Sequence, residues 1–158
     1  MNKLIKGSMT TVLSLAAFVV VALVALSIVS RSGSSHGVMQ GKLLPCKHTQ
    51  NCVCTEPFDN RNAEPIHISG LAAETAWAKL KNAVISAGGN IETEDNGYLW
   101  ATFRTPVFRF IDDFEARLDM EQGVIHLRSA SRVGHGDMGA NKKRLQKIVG
   151  QYEAGQQQ

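Results

Sequence analysis

The sequence predicts an α+β domain, a four- to five-stranded antiparallel sheet with two helices on one face, preceded by an N-terminal transmembrane helix. Three observations carry this prediction. Residues 12–29 are almost all apolar, several later segments alternate apolar and polar residues, and two segments repeat apolar residues at helical spacing. The chain has 158 residues, which allows one domain of ordinary size with appendages.

The N-terminal apolar run indicates the compartment. The 24 residues between Lys6 and Arg31 are uncharged, and as a helix they would extend about 36 Å, enough to cross a hydrocarbon core of about 30 Å. The alternative is a cleaved signal peptide, for which Ala25-Leu26-Ser27 resembles a cleavage site. We favour an uncleaved anchor because the run is longer than the apolar region of a signal peptide. We therefore expect a single-pass protein of the inner membrane, with Lys3 in the cytoplasm and the C-terminal domain in the periplasm.

The composition divides the chain into four segments. We predict an anchor over residues 1–30, a flexible tether rich in Ser and Gly over 31–42, the folded domain over 43–153 and a disordered tail over 154–158. After the anchor the chain carries 15 basic and 14 acidic side chains. This balance excludes a strongly basic nucleic-acid-binding protein, so we expect no nucleic-acid partner.

The folded domain is predicted to begin with an extended stretch and a helix. The stretch reaches from Glu56 to Ile68 and contains two prolines. Ser69 is the predicted N-cap of the helix and Gly88-Gly89 ends it. Its apolar positions recur three and four residues apart, at Ala73, Trp77, Leu80, Val84 and Ala87. We expect Trp77 in the core, because it belongs to this stripe.

Strands and a second helix follow. Asp95-Asn96-Gly97 predicts a tight hairpin turn, since Asn-Gly accepts the positive φ angles that such a turn requires. The strands predicted from alternating or extended segments cover residues 91–94, 98–105, 108–110, 114–120 and 124–132. The last helix is predicted from Asp137 or Met138 to about Tyr152, and its apolar face consists of Leu145, Ile148, Val149 and Tyr152.

All three cysteines, Cys46, Cys52 and Cys54, lie within nine residues of each other. Outside the cytoplasm neighbouring thiols oxidise, so the residues favour a disulfide, and Cys46 with Cys52 would close a small ring. The alternative is a zinc site in which His48 is the fourth ligand. Structural zinc sites need a second ligand pair further downstream, which this cluster lacks, and we predict no metal and no cofactor. A reactive Cys54 paired with His48 lacks a third residue to orient the imidazole.

One basic segment contains the candidate ligand site. Residues 124–147 hold six basic and one acidic side chain, whereas residues 92–121 hold eight acidic and three basic ones. In one interpretation, Arg128 and Arg132 pair with carboxylates of a neighbouring strand and Asp137 caps the last helix. The carboxylates available are Asp112, Asp113 and Glu115.

In the other interpretation, the glycine-rich loop that opens the last helix presents free backbone N–H groups to an anion, with Arg and Ser side chains nearby. A carboxylate, a phosphate or a lipid headgroup would suit such a site. The candidate ligand-binding residues are Arg128, Ser129, Ser131, Arg132, Gly134, Asp137, Asn141 and Arg144.

Two classes of function stay open. The first is a membrane-anchored module of the cell envelope that binds an anionic lipid, an anionic metabolite or an acidic protein partner. The second is a hydrolase-like envelope enzyme in which His126 or His135 acts together with Asp112 or Asp113. A set of nucleophile, base and orienting residue cannot be read from the sequence, and we name no catalytic residue.

Three motifs resemble one known family. They are Cys46 with Asn51-Cys52-Val53, the stretch 110–115 and the basic stretches 128–134 and 137–144. Together they are similar to the domain-of-unknown-function family 1499 over about residues 43–150. The resemblance implies a small exported or membrane-associated domain, supplies no reaction, and implies Cys46–Cys52 as the disulfide pair. The chain departs from the family pattern at three positions. It has Cys54 where the family commonly has Ser, and it has Lys47 and Gln50 where the family commonly has Pro.

Overall fold

The computed structural model of the chain describes residues 2–47, 49–57, 63–68 and 70–155. Its first element is the helix α1, Asn2–Ser30. The part Met9–Ser30 has 22 residues and a mean hydropathy of 3.0, which is long and apolar enough to cross a membrane. A signal sequence near the N-terminus has the same properties, so the apolar helix is confirmed and both readings of it stand.

A small hairpin follows α1. Its strands are β1, Val38–Met39, and β2, Lys42–Leu43, which pair antiparallel around Gln40 and Gly41, both at positive φ. The hairpin covers the end of residues 31–42, the predicted tether, and the first residue of the predicted domain, Leu43. The end of β2 is tied to the domain, because Leu43 is fully buried and its N–H donates to Glu56 Oε1 at 3.0 Å.

Six strands form one antiparallel sheet in the described part of the chain. The remaining elements are β3, Cys52–Cys54; β4, Ile66–His67; α2, Ala73–Ser86; β5, Asn90–Asp95; β6, Tyr98–Arg104; β7, Ile111–Asp119; β8, Val124–Ser131; and α3, Ala140–Ala154. The strand order is β3-β8-β7-β6-β5, and β4 pairs with the other end of β8. The predicted α+β class and antiparallel sheet are confirmed, and β3 and β4 add an edge that residue alternation did not reveal.

One face of the sheet packs on both helices and forms the core. Apolar side chains that point to this face from β6, β7 and β8 meet the buried faces of α2 and α3. The helices contribute Ala76, Leu80, Ala83 and Val84 from α2 and Leu145, Ile148 and Tyr152 from α3. Trp77 packs only partly against the core, and its indole N–H donates to Glu94 at 2.9 Å. Burying each large side chain contributes about 1.5–3 kcal/mol.

The β5–β6 turn confirms the hairpin prediction. Asn96 and Gly97 both have positive φ, 44° and 77°, as the Asn-Gly pair predicts for a tight turn. A Cβ at position 97 would lie 3.2 Å from the Cβ of Leu118. Glycine is therefore required there for two reasons, the backbone conformation and the close approach of β7.

One predicted strand does not form, and the predicted starts of β7 and of both domain helices are wrong. Residues 108–110 form no strand, because Arg109 has φ of 58° and the chain closes a turn in which the Thr105 N–H donates to the Phe110 carbonyl at 2.9 Å. The last helix begins at Ala140 rather than at Asp137 or Met138, since Met138 and Gly139 both have positive φ. Ser69, the predicted N-cap of α2, lies outside the described residues, and the N-cap is Ala72 instead.

The cysteine cluster contains the predicted disulfide. Cys46 and Cys52 are bonded, with their Cα atoms 5.6 Å apart. This bond engages two of the four residues of the zinc alternative, and His48, a third, lies outside the described residues. Cys54 keeps its thiol and is fully buried in β3, directly opposite Arg128 of β8. Among the described residues no group of three His, Cys, Asp or Glu side chains is arranged to hold a metal ion.

Candidate functional site

The sheet face opposite the helices carries ionisable and aromatic side chains, and we call it the charged face. Successive side chains of a strand point to opposite faces, so the residues that alternate with the core positions come together here. The segment between α1 and β3 lies over this face. The charged face consists of Tyr98, Trp100, Asp113, Glu115, Arg117, His126, Arg128 and Arg132.

Glu115 and Arg128 form the most buried ion pair of the charged face. They lie directly opposite each other on β7 and β8, and Arg128 Nη1 is 2.6 Å from Glu115 Oε2. The Glu115 side chain is fully buried, and its other oxygen accepts from the Tyr98 hydroxyl at 2.8 Å and from the Gly37 N–H at 3.0 Å. Burial raises the pKa of Tyr98, so its hydroxyl stays a donor throughout the physiological range.

Arg132 joins the sheet to the end of α1. Its Nε and Nη2 donate to both oxygens of Asp113 at 2.8 and 2.7 Å, a bidentate arrangement. Its Nη1 donates to the carbonyl of Ser30 at 2.9 Å. Ser30 ends α1, and the negative end of the helix dipole there stabilises the positive charge of Arg132. Trp100 completes the group, because its indole N–H donates to Asp113 at 2.8 Å.

A third buried group lies at the far end of the charged face. Arg117 donates to both oxygens of Glu56 at 2.9 and 3.2 Å and also contacts Asp119 at 3.2 Å. Burial lowers the pKa of Arg117, but the two carboxylates raise it by more, so the net change is upward. His126 lies opposite Arg117 on β8, with its Nε2 4.0 Å from Glu56. Its Nδ1 is 3.2 Å from the Thr55 carbonyl oxygen.

A separate polar cluster lies on the helix side, under the start of α3. Asp112 accepts from Arg144 at 2.6 Å, and Arg144 also donates to Ser129 at 2.8 Å and to Asn141. Asn141 is fully buried and receives a bond from the Ser129 hydroxyl at 2.7 Å. Its amide donates to the Asn51 carbonyl at 2.9 Å, which ties β3 to α3. This cluster closes one end of the core with satisfied polar groups.

Asp137 occupies the N–H groups at the start of α3. Its two carboxylate oxygens accept from the N–H of Gly139 at 2.9 Å and of Asn141 at 2.8 Å, and its carbonyl accepts from Ala140 at 3.0 Å. The predicted capping role of Asp137 is therefore confirmed, although the N-cap residue itself is Gly139. These N–H groups therefore donate to the protein's own carboxylate.

The structure separates the eight candidate ligand-binding residues into two groups. Ser129, Asp137, Asn141 and Arg144 belong to the helix-side cluster. Ser131 also belongs to the helix-side cluster, because its hydroxyl accepts from the Asn141 amide at 3.0 Å. Arg128 and Arg132 belong to the charged face, and Gly134 lies at its edge. Both arginines pair with β7 carboxylates, as the first of the two sequence interpretations predicts. Their binding of a ligand stays a prediction.

The histidines and aspartates of the enzyme alternative do not meet. His126 is almost fully buried beside Thr55, and the carbonyl of the exposed His135 accepts from the Gln50 N–H at 3.0 Å. Asp112 and Asp113 lie on opposite faces of β7, each paired with an arginine. In the part of the chain that the structure describes, neither histidine hydrogen-bonds to either aspartate.

A polar cavity of about 430 Å³ opens between the charged face and the covering segment. Three basic side chains, Lys47, Arg128 and Arg132, face a single carboxylate, Asp113, in its lining. The Nε of Arg128 is buried and has no hydrogen-bond acceptor among the described residues. The other lining residues are Gly33, Ser34, His36, Thr49, Asn51, Cys52, Ala130, Ser131 and Gly134.

A comparison with known protein families shows to which family the chain belongs. Residues 42–151, more than half of its length, match the family described as protein of unknown function (DUF1499). The chain belongs to the DUF1499 family. This confirms the resemblance that the three motifs indicate. Among curated proteins none matches the chain.

The DUF1499 match includes both faces of the sheet but begins after part of the polar cavity. Gly33, Ser34 and His36 precede residue 42, so this wall of the cavity comes from the segment that follows α1. Within the DUF1499 domain, sequence reasoning missed Glu56. It follows β3 by two residues, and only the pairing of β3 with β8 brings it to Arg117 and His126. No local pattern in the sequence indicates this proximity.

Proposed function

We propose that the protein is a single-pass, membrane-anchored member of the DUF1499 family whose extracytoplasmic domain binds a small anionic ligand in the polar cavity. The buried Nε of Arg128 carries the proposal. Arg128 is a residue of the cavity lining, which holds three basic residues and one carboxylate, and its Nε has no acceptor among the described residues. A buried donor without a partner costs about 1–3 kcal/mol, and an anion in the cavity would remove that cost.

The charges around the cavity favour an anion over a cation. Asp113, the one acidic residue in the described lining, already accepts two hydrogen bonds from Arg132 and one from Trp100. Glu115 neutralises Arg128 from behind, outside the lining, and it accepts from Tyr98 and Gly37. The described lining therefore holds more basic than acidic residues, and its carboxylate is already engaged. A phosphate or a small carboxylate fits both this charge and the volume.

Anion binding is tested by adding phosphate or succinate to the full chain in detergent. We expect either anion to raise the melting temperature, and calorimetry to give the dissociation constant. Arg128→Lys keeps the charge beside Glu115 but removes the Nε donor, and Lys47→Gln removes the exposed charge at the cavity. Both variants should weaken binding several-fold. Lys143→Gln, an exposed position on α3 outside the cavity, serves as the matched control and should bind as the parent does.

Two outcomes would overturn the anion proposal. One is a parent whose melting temperature does not respond to either anion beyond the effect of sodium chloride at equal ionic strength. The other is equal binding by the parent, Arg128→Lys and Lys47→Gln. Arg128→Lys must keep the unfolding cooperativity of the parent, which separates lost binding from lost structure.

The membrane orientation is a separate part of the proposal. Lys3 and Lys6 precede the apolar run and favour a cytoplasmic N-terminus, which sends residues 31–158 out of the cytoplasm. The disulfide Cys46–Cys52 also supports an oxidising compartment. Alkaline phosphatase fused after Gln158 should be active, and a fluorescent reporter that matures only in the cytoplasm should stay dark. The reverse result would contradict this orientation.

A further inference from the structure

A second cavity lies where the domain meets the end of α1, and we call it the junction groove. Its volume is about 360 Å³. Six of its lining residues are Leu23 and Leu26 from α1, Thr105 and Phe110 from the β6–β7 loop, and Val133 and Met138 from the β8–α3 loop. Two acidic groups at its inner side, Asp112 and Asp137, are held by Arg144 and by the N–H groups of α3. The groove is therefore largely apolar.

The position of the groove along α1 places it at the level of the membrane. Leu26 and Leu23 lie within the span Met9–Ser30, about 6 and 10 Å below Ser30 at the helical rise of 1.5 Å per residue. The span has 22 residues and a length of about 33 Å, which matches a hydrocarbon core of about 30 Å. The two leucines therefore lie at the depth of acyl chains when α1 crosses a membrane. The loop residues that line the same groove lie beside them.

The end of α1 is attached to the domain, which holds the groove at this level. Ser27 and Ser30 are both buried. The Ile111 N–H donates to the Ser30 hydroxyl at 3.0 Å, and Arg132 donates to the Ser30 carbonyl at 2.9 Å. Since Ile111 begins β7, directly after the β6–β7 loop, these bonds place that loop next to the membrane end of the domain.

The two loops have the composition of a membrane interface. Val107 is 80% exposed and Met138 fully exposed, and the rings of Phe108 and Phe110 lie 6.2 Å apart. A basic residue precedes each of two lining residues of the groove: Arg104 precedes Thr105, and Arg109 precedes Phe110. Both arginines are exposed, and neither forms an ion pair with the described residues. Apolar tips with adjacent arginines are suited to a bilayer surface that contains anionic lipids.

We propose that the domain docks on the outer leaflet through the junction groove, which takes an acyl chain of a bilayer phospholipid while Arg104 and Arg109 contact its anionic headgroup. This inference rests on the proposed retention of α1 in the membrane and is independent of the polar cavity, which lies on the charged face. A phospholipid is the occupant because one wall of the groove, formed by Leu23 and Leu26, belongs to the membrane span itself.

The test uses two exposed methionines at opposite ends of the domain. Met138 lies at the groove, whereas Met120 lies in the turn between β7 and β8, at the other end of both strands. Met138→Cys and Met120→Cys are prepared in a Cys54→Ser background, labelled with an environment-sensitive fluorophore and placed in vesicles of phosphatidylcholine with phosphatidylglycerol. We expect a nitroxide on the lipid acyl chain to quench the Met138 label and to leave the Met120 label unquenched.

The arginines are tested in the same vesicles. Arg104→Gln combined with Arg109→Gln should reduce the quenching of the Met138 label to the level measured in phosphatidylcholine alone. The matched control, Lys42→Gln combined with Lys143→Gln, removes two exposed charges elsewhere and should not change the quenching. A double arginine variant that is quenched as strongly as the parent would overturn the headgroup contact.

Flotation of the same vesicles separates this inference from the proposed anchoring. If the protein does not float with the vesicles, both the anchoring and the docking are wrong. If it floats but the Met138 and Met120 labels behave alike, the anchoring stands and the docking is overturned. Self-quenching between Met138 labels on different chains, without quenching by lipid, would mean that a second copy of the chain covers the groove, and would also overturn the proposal.

Discussion

The two faces of the sheet are stabilised in different ways. The helix side buries apolar residues such as Phe114 and Leu127 against α2 and α3, whereas the charged face buries ion pairs beneath the segment that follows α1. Burying a charge is unfavourable unless its partner and its other hydrogen bonds are in place. The apolar face therefore supplies net stability, and the charged face determines where the covering segment lies, because Gly37 and Ser30 complete its hydrogen bonds.

The largest effect is expected from breaking the central ion pair. Glu115→Gln should lower the free energy of unfolding by about 3–5 kcal/mol, because it leaves Arg128 charged and buried without its partner. The matched double variant, Glu115→Leu with Arg128→Met, removes both charges and should lose much less. Urea unfolding of the full chain in detergent measures both. Equal losses in the single and the double variant would mean that the charges are not responsible.

A truncation on the helix side should cost nearly as much and behave differently. Leu127→Ala should lower the free energy of unfolding by about 3 kcal/mol, since it leaves a cavity in the packed core. The loss should not depend on salt, and removing a second residue of the charged face should not restore it. Ile85→Ala, at an exposed position of α2, is the control and should change stability by about 0.5 kcal/mol or less. A Leu127→Ala loss as small as that of the control would contradict the prediction.

The disulfide should have an intermediate effect. Cys46→Ser with Cys52→Ser should lower the free energy of unfolding by about 2 kcal/mol, because the small ring no longer restricts the unfolded chain. Maleimide labelling after denaturation without reductant should modify one thiol in the parent, that of Cys54. Labelling of all three cysteines would contradict the bond in the isolated protein. Cys54→Ser keeps the bond and should leave no thiol to label.

The smallest effect is expected at the far end of the charged face, at the partly buried Asp119, and it should depend on pH. Asp119 accepts from the Gln122 N–H and from Arg117, and the two contacts, the first more than the second, lower its pKa. A lowered pKa stabilises the folded state above the ordinary pKa of aspartate, and this stability is lost as the pH falls through the lowered value. Asp119→Asn should therefore cost about 1 kcal/mol at neutral pH.

That difference should vanish in acid. Below the lowered pKa both the parent and Asp119→Asn carry a neutral side chain, so their unfolding free energies should converge. Thermal unfolding at a series of pH values measures this. The control is Asp95→Asn, at the exposed end of β5, which should change stability at neutral pH by about 0.5 kcal/mol or less. A difference at position 119 that stays constant down to acidic pH would contradict the assignment.

The sequence was sufficient where the physical cause is local. Alternation of side chains predicted which residues of β6, β7 and β8 share a face, and the register confirms it. Asn96-Gly97 predicted its turn because the required φ angles depend on these two residues alone. Local patterns failed where the cause is distant. The pattern of residues 108–110 predicted a strand. Arg109 instead has a positive φ, because the chain turns there and brings Ile111 to the end of α1.

The sequence by itself determined the apolar helix, the α+β class, the disulfide pair and the charges available to the sheet, since each depends on composition, spacing or family motifs. Only the tertiary structure decided which arginine meets which carboxylate. Arg128 lies directly opposite Glu115, whereas Arg132 reaches Asp113 diagonally, and Arg144 reaches Asp112 on the other face. These pairs depend on strand register and on the packing of α3, and a shift of one residue would reverse every face. The polar cavity and the junction groove likewise exist only because distant segments are packed together.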